Sequence, residues 1–330
     1  MASCQKCVGA ACRSAFRSCS GQGRSSTVAA PPRYPYTLSR RDRDRLPRTQ
    51  RLTGRVIAVT GAGRGIGRAV AARLAAAGAA VAIGDLDAEL AMETAGAIGA
   101  HPGGRLVGLS LDVTDTHSFE DFLRTVETQL GPIDVLINNA GIMWVGPFEG
   151  ESEEAALRQF DVNVHGVLRG MKLVIPRMRK RGRGHVVNIA SAASKVAPAG
   201  EATYAATKHA VHGYSTAVRA ELRGTGVHVS LVMPGVVDTE LAVGTATGPT
   251  RSLTTDQVAD AVLDVMLRPR FEVFIPRQVG ALTRLAALLP GRARDALHHL
   301  LVPDQLAALS DRSVRAAYEQ RTRTARHPEG

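Results

Sequence analysis

The stretch RVIAVTGAGRGIG, residues 55–67, decides the fold of this chain. Its first six residues are a short run rich in β-branched side chains, which predicts a buried strand. A glycine-rich turn from Thr60 to Gly67 follows at once, and an Ala-rich stretch continues as a predicted helix to about Ala77. Glycines in a turn that opens a helix let the backbone N–H groups approach a phosphate closely.

A second strand is predicted from Ala80 to Gly84, ending at Asp85, 18 residues past Gly67. Strand, glycine turn, helix, strand and acid in this order form the first unit of a Rossmann fold. The sequence therefore predicts a dinucleotide site, whose first candidate residues are Gly61, Arg64, Gly65, Ile66, Gly67 and Asp85.

The alternation continues along the chain. Further strands are predicted over 106–111, 133–137, 185–189, 227–232 and 272–275, and helices over 116–129, 153–179, 203–223 and 255–267. This pattern predicts an α/β fold with a doubly wound parallel sheet in three α/β/α layers. One catalytic domain over 54–275 accounts for it better than two domains, with the ligand crevice at the carboxyl ends of the strands.

Charge separates the chain into three parts. Residues 1–53 carry 11 basic and 2 acidic side chains, residues 54–275 carry 21 and 23, and residues 276–330 carry 9 and 5. Because the middle is slightly acidic, the net charge of +11 does not indicate a nucleic-acid surface on the main domain.

Residues 1–53 are predicted to be a disordered basic leader, and an organelle transit peptide is an alternative because the segment is Arg- and Ser-rich and has no acid before Asp42. All four cysteines lie here, at 4, 7, 12 and 19. Their spacing leaves a metal knuckle open as another alternative, although we predict no metal site. The remaining chain has no cysteine, which fits a reducing compartment, so we expect a cytoplasmic protein.

Residues 276–330 are predicted to be an amphipathic helical extension and tail. Leucines and Val279 alternate with Arg277 and Arg284, which favours a helix pair that docks on the domain or on a neighbouring subunit. A lipid-facing helix with peripheral membrane contact is the alternative. No apolar run approaches the roughly 18 residues that a membrane span needs.

The stretch YAATK, residues 204–208, places a phenol and an ammonium group on one face of a helix. A lysine beside a tyrosine favours the phenolate, so Tyr204 can exchange a proton near neutral pH. Together with Ser191, thirteen residues earlier, this pattern resembles the short-chain dehydrogenase/reductase family, in its single-domain type with extensions at both ends. The resemblance covers about residues 54–240, and its motifs are the glycine turn, Asp112, Asn138-Asn139-Ala140-Gly141, Asn163, Ser191, Tyr204 with Lys208, and Pro234-Gly235 with Thr239.

The resemblance implies an oxidoreductase that transfers a hydride between NAD(P) and an alcohol or carbonyl substrate. It implies that Tyr204 is the acid/base and that Lys208 lowers its pKa and holds the nicotinamide ribose. Ser191 would polarise the substrate oxygen, and Asn163 would anchor a water of a proton relay. The cofactor contacts that it implies beyond the glycine turn are Asp112, Val113, Asn139, Ala140, Gly141, Tyr204, Lys208, Pro234, Gly235, Val237 and Thr239.

Asp85 favours NAD over NADP, because a carboxylate bonds the adenosine ribose hydroxyls and repels a 2′-phosphate. Arg64 instead indicates NADP, since a basic residue in the glycine turn accompanies NADP use in some members of the family.

Apolar residues occupy the positions where relatives bind substrate: Met143, Trp144, Val145 and Val196. They predict a lipophilic substrate that is steroid-, retinol- or fatty-alcohol-like, under a mobile lid over 241–251. By analogy with the family, the apolar helix faces at 160–167 and 211–218 predict a homodimer or homotetramer. The competing hypotheses are a non-catalytic dinucleotide-binding regulatory protein and a lyase or epimerase of nucleotide sugars.

Overall fold

Seven strands form a single parallel sheet. They are β1 (Val56–Thr60), β2 (Ala80–Asp85), β3 (Leu106–Ser110), β4 (Val135–Asn138), β5 (Gly184–Ile189), β6 (Val227–Pro234) and β7 (Glu272–Ile275). Their order across the sheet is β3-β2-β1-β4-β5-β6-β7. The winding direction reverses between β1 and β4, and a crevice opens beside the carboxyl ends of the strands at such a reversal. The predicted doubly wound fold is confirmed.

This computed structural model describes residues 52–99, 104–247, 251–308 and 313–324, which all belong to one unit, 34–330. The predicted leader thus lies outside the described residues except for its last two. Of these, Leu52 is fully buried, and its N–H donates to the Ala77 carbonyl at 2.9 Å. The folded domain therefore already includes Leu52.

Seven longer helices cover the sheet. They are α1 (Gly65–Ala76), α2 (Ala88–Ile98), α3 (Thr116–Gln129), α4 (Glu153–Phe160), α5 (Gly166–Lys180), α6 (Ala202–Glu221) and α7 (Thr255–Leu267). The helix predicted over 153–179 consists of α4 and α5 joined by a π-helical turn, Asp161–His165. Such wide turns are rare and often mark functional sites, and this one contains Asn163.

Successive strand residues point to opposite faces, which gives the sheet two apolar cores. Ile57 and Val59 of β1 pack with α1 and α7 on one face, whereas Val56 and Ala58 pack with α3, α5 and α6 on the other. Central strands that are buried on both sides explain why these segments read as continuous apolar runs. The rigid sheet that results holds the strand ends in place.

Helix α2 was not predicted from the sequence, because it packs on the sheet through small residues. A Cβ added to Gly108 of β3 would lie 2.3 Å from the Ala91 carbonyl oxygen, so helix and strand approach too closely for large side chains. Small residues give a weak apolar period, and the sequence pattern is correspondingly faint. The N-terminus of α2 is capped by Asp87, whose carboxylate accepts from the Leu90 N–H at 3.0 Å.

After β7 the chain continues into further helices: α8 (Arg277–Ala286), α9 (Gly291–Leu301), α10 (Gln305–Ala308) and α11 (Ser313–Thr324). Helix α8 packs beside β7, since a Cβ on Gly280 would lie 2.5 Å from the Phe274 ring. Residues of α8, α9, α10 and α11 all reach the cavity at the sheet edge. The extension thus docks on the domain and forms part of its site.

Candidate active site

A cavity of about 1440 Å³ opens along the carboxyl ends of the strands. Its wall includes the glycine turn after β1, Asp85 at the end of β2, Ser191 after β5 and Tyr204 on α6. Sites for one small molecule commonly enclose about 300–1,000 Å³. This cavity is larger, so it has room for a dinucleotide together with a substrate.

The glycine turn leaves its backbone uncovered toward the cavity. Gly61 and Gly65 have φ of 60° and 56°, which favours glycine, and a Cβ on Gly61 would lie 2.7 Å from the Ala140 Cα. No side chain caps the N-terminus of α1, where Gly65 and Ile66 line the cavity. Free N–H groups at a helix N-terminus attract phosphate oxygens, so this turn fits a pyrophosphate.

Gly67 has a different part in the turn. It is buried, and a Cβ there would lie 2.3 Å from the Gly61 carbonyl oxygen. This glycine lets α1 pack tightly under the turn and does not line the cavity. It supports the cofactor site without facing it.

Asp85 is held at the edge of the cavity by backbone donors. Its carboxylate accepts from the Gly63 N–H at 2.8 Å and from the Asp87 N–H at 3.3 Å. These bonds tie the end of β2 to the glycine turn and leave further acceptor capacity for ribose hydroxyls. Arg64 extends toward Glu240, with 3.4 Å between its Nη1 and the carboxylate, and both side chains are about half exposed.

Side chains after β3 and β4 complete the cofactor half of the cavity. The Asp112 carboxylate accepts from the Thr114 N–H at 2.7 Å, and the Asn139 amide donates to the carbonyls of Thr60 and Gly61 at 3.0 and 2.8 Å. The cavity wall brings these two residues together with the following predicted cofactor residues: Val113, Ala140, Gly141, Pro234, Gly235, Val237 and Thr239.

Tyr204 is buried at the cavity wall beside Ser191. Burial raises the pKa of Tyr204 above its ordinary value, the charge of Glu201 raises this pKa further, and the interaction with the Ser191 hydroxyl lowers it. The sequence predicted that Lys208 lowers the pKa, and Lys208 Nζ does lie 5.4 Å from the Tyr204 ring centroid. Burial is nevertheless the largest influence on the pKa of Tyr204, because it disfavours the phenolate.

Lys208 is itself almost fully buried, and its Nζ donates to the Ile189 carbonyl at 3.4 Å. Burial lowers the pKa of Lys208 to about 8, because an ammonium group loses hydration inside the protein. The ammonium form therefore predominates at neutral pH, and the amine form predominates in the alkaline range where a buried tyrosine titrates. The positive charge of Lys208 therefore favours the Tyr204 phenolate only near neutral pH.

Asn163 lies in the π-helical turn and does not line the cavity. Its amide donates to the Ile142 carbonyl at 2.8 Å and to the Thr207 hydroxyl at 3.1 Å, and its oxygen accepts from the Ile142 N–H at 2.8 Å. Thr207 is the neighbour of Lys208, so Asn163 fastens the catalytic helix to the loop after β4. The side chain thus holds the site together, and a water anchored by it stays a prediction.

The substrate half of the cavity is mainly apolar. Of the four residues predicted here, Met143 and Val196 line it, whereas Trp144 and Val145 do not. The Trp144 N–H donates to the Gln159 side chain at 3.1 Å, and Val145 packs under Tyr204. The other apolar side chains on the wall include Ile142, Leu241, Val279, Leu282, Leu297 and Leu301.

Two buried polar side chains of the extension hold the predicted lid. The Arg315 guanidinium donates to the carbonyls of Leu241 and Val243 at 3.1 and 2.7 Å. Gln305 pairs with the backbone of Ala246, accepting at 2.6 Å and donating at 3.0 Å. Residues 248–250 of the lid lie outside the described residues, but the described part is tied down at three points.

Residues from far along the chain also form this site, and the sequence motifs do not predict them. Arg315 and Tyr318 of α11 and Gln305 of α10 follow the matched motifs by more than 60 residues, and no spacing rule connects them to the cavity. Glu201 was also missed, although it stands one helical turn before Tyr204 and its position could have been noticed.

No helix in the described part of the chain is long and apolar enough to cross a membrane. Across the same residues, no group of three or more His, Cys, Asp or Glu side chains could hold a metal ion. The four cysteines, whose spacing left a metal knuckle open as an alternative, lie outside the described residues.

Comparisons with known proteins show which family this chain resembles. The family model described as short chain dehydrogenase matches residues 55–250. A 1-deoxy-11-beta-hydroxypentalenate dehydrogenase of Streptomyces exfoliatus is 38% identical over 230 residues, which are 68% of this chain and 83% of the relative.

Two solved structures share the fold. A short chain dehydrogenase/reductase from Burkholderia phymatum in complex with NAD superposes with a TM-score of 0.65 at 26% identity, covering 78% of this chain and 99% of that one. An alcohol dehydrogenase from the archaeon Thermococcus sibiricus, complexed with 5-hydroxy-NADP, has a TM-score of 0.60 at 28% identity and covers 67% and 95%.

A parallel sheet with a glycine turn, a buried Tyr–Lys pair and one shared cavity defines a dinucleotide-dependent oxidoreductase. The chain belongs to the short-chain dehydrogenase/reductase family, as its resemblance indicated. It is an NAD(P)-dependent enzyme that acts on CH–OH groups.

Proposed function

We propose that this enzyme oxidises a lipophilic alcohol with NAD, or reduces the corresponding ketone, using Tyr204 as acid/base. The observation that carries the proposal is that Tyr204, Ser191 and Lys208 share one cavity with the glycine turn and Asp85. A proton donor, a hydroxyl partner and a dinucleotide cradle in the same enclosure are what hydride transfer at a carbonyl carbon requires.

Each side chain has a distinct part in the proposed reaction. The nicotinamide, when bound, supplies or receives the hydride. Ser191 holds the substrate oxygen, and Tyr204 exchanges the proton with that oxygen. Lys208 binds the nicotinamide ribose and favours the phenolate at neutral pH. Asn163 positions the Thr207–Lys208 turn through its bonds to Ile142, and a proton path to solvent beside it remains part of the proposal.

NAD is the proposed cofactor because a carboxylate stands at the end of β2. Asp85 is fixed by the Gly63 N–H, so it cannot easily turn away from a 2′-phosphate. Arg64, the residue that favoured NADP, lies 3.4 Å from Glu240, and this ion pair supports the choice of NAD. The two structural neighbours carry NAD and an NADP derivative respectively, so the family accommodates both.

A lipophilic substrate is proposed from the apolar walls. Met143, Val196 and leucines of α8 and α9 surround the space beyond Tyr204. The name of the pentalenate relative describes a hydroxyl group on a pentalene-type ring skeleton, which supports an alicyclic rather than a linear alcohol.

A screen of lipophilic alcohols with NAD tests the proposal through NADH absorbance. We expect turnover of alicyclic secondary alcohols by the wild type. Replacement of Tyr204 by Phe should lower kcat by at least about 100-fold and leave NAD affinity within twofold, since the phenol serves proton transfer. Retained turnover in Y204F contradicts the mechanism.

Glu221→Gln, an exposed change on the same helix, is the control and should behave as wild type. The non-catalytic regulator remains the alternative. It would bind NAD with no turnover of any alcohol in the screen.

The coarser features of organisation are proposals as well. We infer a homodimer or homotetramer that pairs through α4–α5 and α6, a cytoplasmic location, a leader over 1–53 without a catalytic part, and a catalytic domain over 54–275 with an extension after it. Helix α9 exposes Leu300, which keeps a peripheral membrane contact open. Light scattering in solution tests the oligomeric state, and vesicle sedimentation tests the membrane contact.

A further inference from the structure

Glu201 is a buried acid that the proposed mechanism does not use. It stands at the start of α6, one turn before Tyr204, is 7% exposed and lines the cavity. Among the described residues its carboxyl group has no hydrogen-bond or ion-pair partner. Buried carboxylates in proteins are almost always paired, so an unpaired one on a ligand cavity points to a ligand.

Arg315 is not the missing partner. Its guanidinium is 0% exposed and donates to three carbonyls, those of Leu241, Val243 and Met143, the last at 2.9 Å. Its charge stabilises the Glu201 carboxylate at a distance, yet burial dominates and raises the pKa of Glu201 to about 7. Near neutral pH the carboxylate form is therefore accessible and lacks a donor.

Tyr318 of α11 supplies a complementary group on the same wall. Its hydroxyl oxygen accepts from the Met143 N–H at 3.0 Å, which fixes the ring and leaves the O–H proton to donate. No acceptor for that proton occurs among the described residues. Glu201, Tyr318 and Tyr204 all line the same cavity.

We propose that Glu201 and Tyr318 form a second polar subsite that binds a hydroxyl group of the substrate other than the one that reacts. A hydroxyl suits the subsite because it both donates, to the carboxylate, and accepts, from the phenol. An ammonium group would face the charges of Arg315 and Lys208, and a carboxylate would face Glu201. This inference rests on the proposed function and refines its substrate class to alicyclic diols and hydroxyketones.

Binding to the NADH-loaded full-length protein tests the subsite without turnover. Cyclohexanol and cyclohexane-1,4-diol share a carbon skeleton and differ by one hydroxyl. Trp144, the only tryptophan in the chain, follows the cavity residue Met143, so quenching of its fluorescence reports Kd for each alcohol. The wild type should bind the diol at least about tenfold more tightly, the value of a hydrogen bond to a charged group.

Glu201→Gln should reduce the ratio of the two Kd values to near one, and Tyr318→Phe should reduce it several-fold. Glu221→Gln is the matched control and should keep the wild-type ratio. A wild type without diol preference, or an E201Q variant that keeps the preference, overturns the subsite. NADH affinity, measured in each variant, separates a folding defect from the loss of one contact.

These Kd values, together with oxidation rates of the two alcohols in the presence of NAD, separate this inference from the proposed function. Diol-selective binding with no oxidation of any alcohol upholds the subsite and rejects the dehydrogenase proposal. Oxidation of both alcohols at equal kcat/KM, with equal Kd, upholds the dehydrogenase proposal and rejects the subsite.

Discussion

At the scale of single residues, burial changes the chemistry that the motif implies. Lys208 keeps its charge at neutral pH although its pKa falls to about 8, and Tyr204 has its pKa raised by burial and by Glu201. The Tyr–Lys spacing suggests one pairwise effect on the pKa of Tyr204, whereas in the folded site burial, the Glu201 carboxyl group, the Tyr318 phenol and the Ser191 hydroxyl all act on it. A ligand that donates to Glu201 would reduce its repulsion of the Tyr204 phenolate.

Asp85 provides a residue-scale prediction about cofactor choice. We expect Asp85→Asn to lower the ratio of kcat/KM for NAD to that for NADP by about tenfold or more. The substitution removes the negative charge that a 2′-phosphate would meet. Steady-state rates with each cofactor measure the ratio.

Asp121→Asn, an exposed change on α3, is the control for Asp85→Asn. It should leave the ratio as in the wild type. An Asp85→Asn enzyme with an unchanged ratio would mean that another group excludes NADP.

At the scale of elements, α11 secures the lid and one wall of the cavity. Arg315 links this helix to the carbonyls of the lid and of the loop after β4, and Arg321 lies 2.9 Å from Glu240, which also pairs with Arg64. The C-terminal helix, the lid and the glycine turn are therefore connected by hydrogen bonds. The order of the lid depends on a helix more than 60 residues away in sequence.

Arg315→Met should break the hydrogen bonds that join α11 to the lid and to the loop after β4. The change leaves three carbonyl oxygens without the hydrogen-bond donor that the guanidinium supplies. We therefore expect the free energy of unfolding to fall by about 3 kcal/mol, which is in the range for breaking a buried charged network. The KM for the alcohol should rise about tenfold, with the affinity for NAD changed less, because the glycine turn remains intact. Denaturant unfolding and steady-state kinetics measure the two effects.

Arg292→Met is the matched control, since Arg292 is exposed on α9. It should leave stability and KM near the wild-type values. If R315M unfolds at the same denaturant concentration as wild type, the lid is held by Gln305 or by packing.

At the scale of the whole molecule, the cofactor half and the substrate half have different origins. The family match ends at residue 250, yet Val279, Leu282, Leu297 and Tyr318 line the cavity beyond it. The proposed dinucleotide site and the proposed reacting groups lie within the matched region. The extension shapes the space for the substrate, so relatives that differ after β7 are expected to differ in the alcohol they accept.

Removal of residues 1–50 should leave NAD binding and turnover within twofold of the full chain, because it keeps the buried Leu52 and all proposed cofactor and reacting residues. Removal of residues 1–53 is the contrasting variant. It deletes Leu52 and should cost about 2–3 kcal/mol of unfolding free energy, the value of one buried leucine. Thermal unfolding and NADH production measure both. Lost activity in the shorter truncation would assign the leader a part in the enzyme.

Much of the fold was predictable because it depends on local patterns. The strands at 56–60 and 272–275 and the helices at 116–129 and 255–267 follow from apolar runs and period, and the structure has them within a residue of the prediction. Helix α2 was not predictable, since its contact with β3 relies on the closeness of Ala91 and Gly108. The position of Trp144 was not predictable either, because a spacing places a residue in a loop without giving its direction.

The sequence by itself determined the Rossmann order, the dinucleotide turn and the Tyr204–Lys208 pair, because each depends on residues within one strand, turn or helix. Only the tertiary structure decided what surrounds them. It brought Glu201 and Tyr318 to the wall of one cavity, placed the Arg315 guanidinium beside the Tyr318 ring, and turned the Asn163 side chain to the backbone of Ile142. Such contacts join segments that are far apart in the chain, and burial and hydrogen bonding between them exist only once the chain is packed.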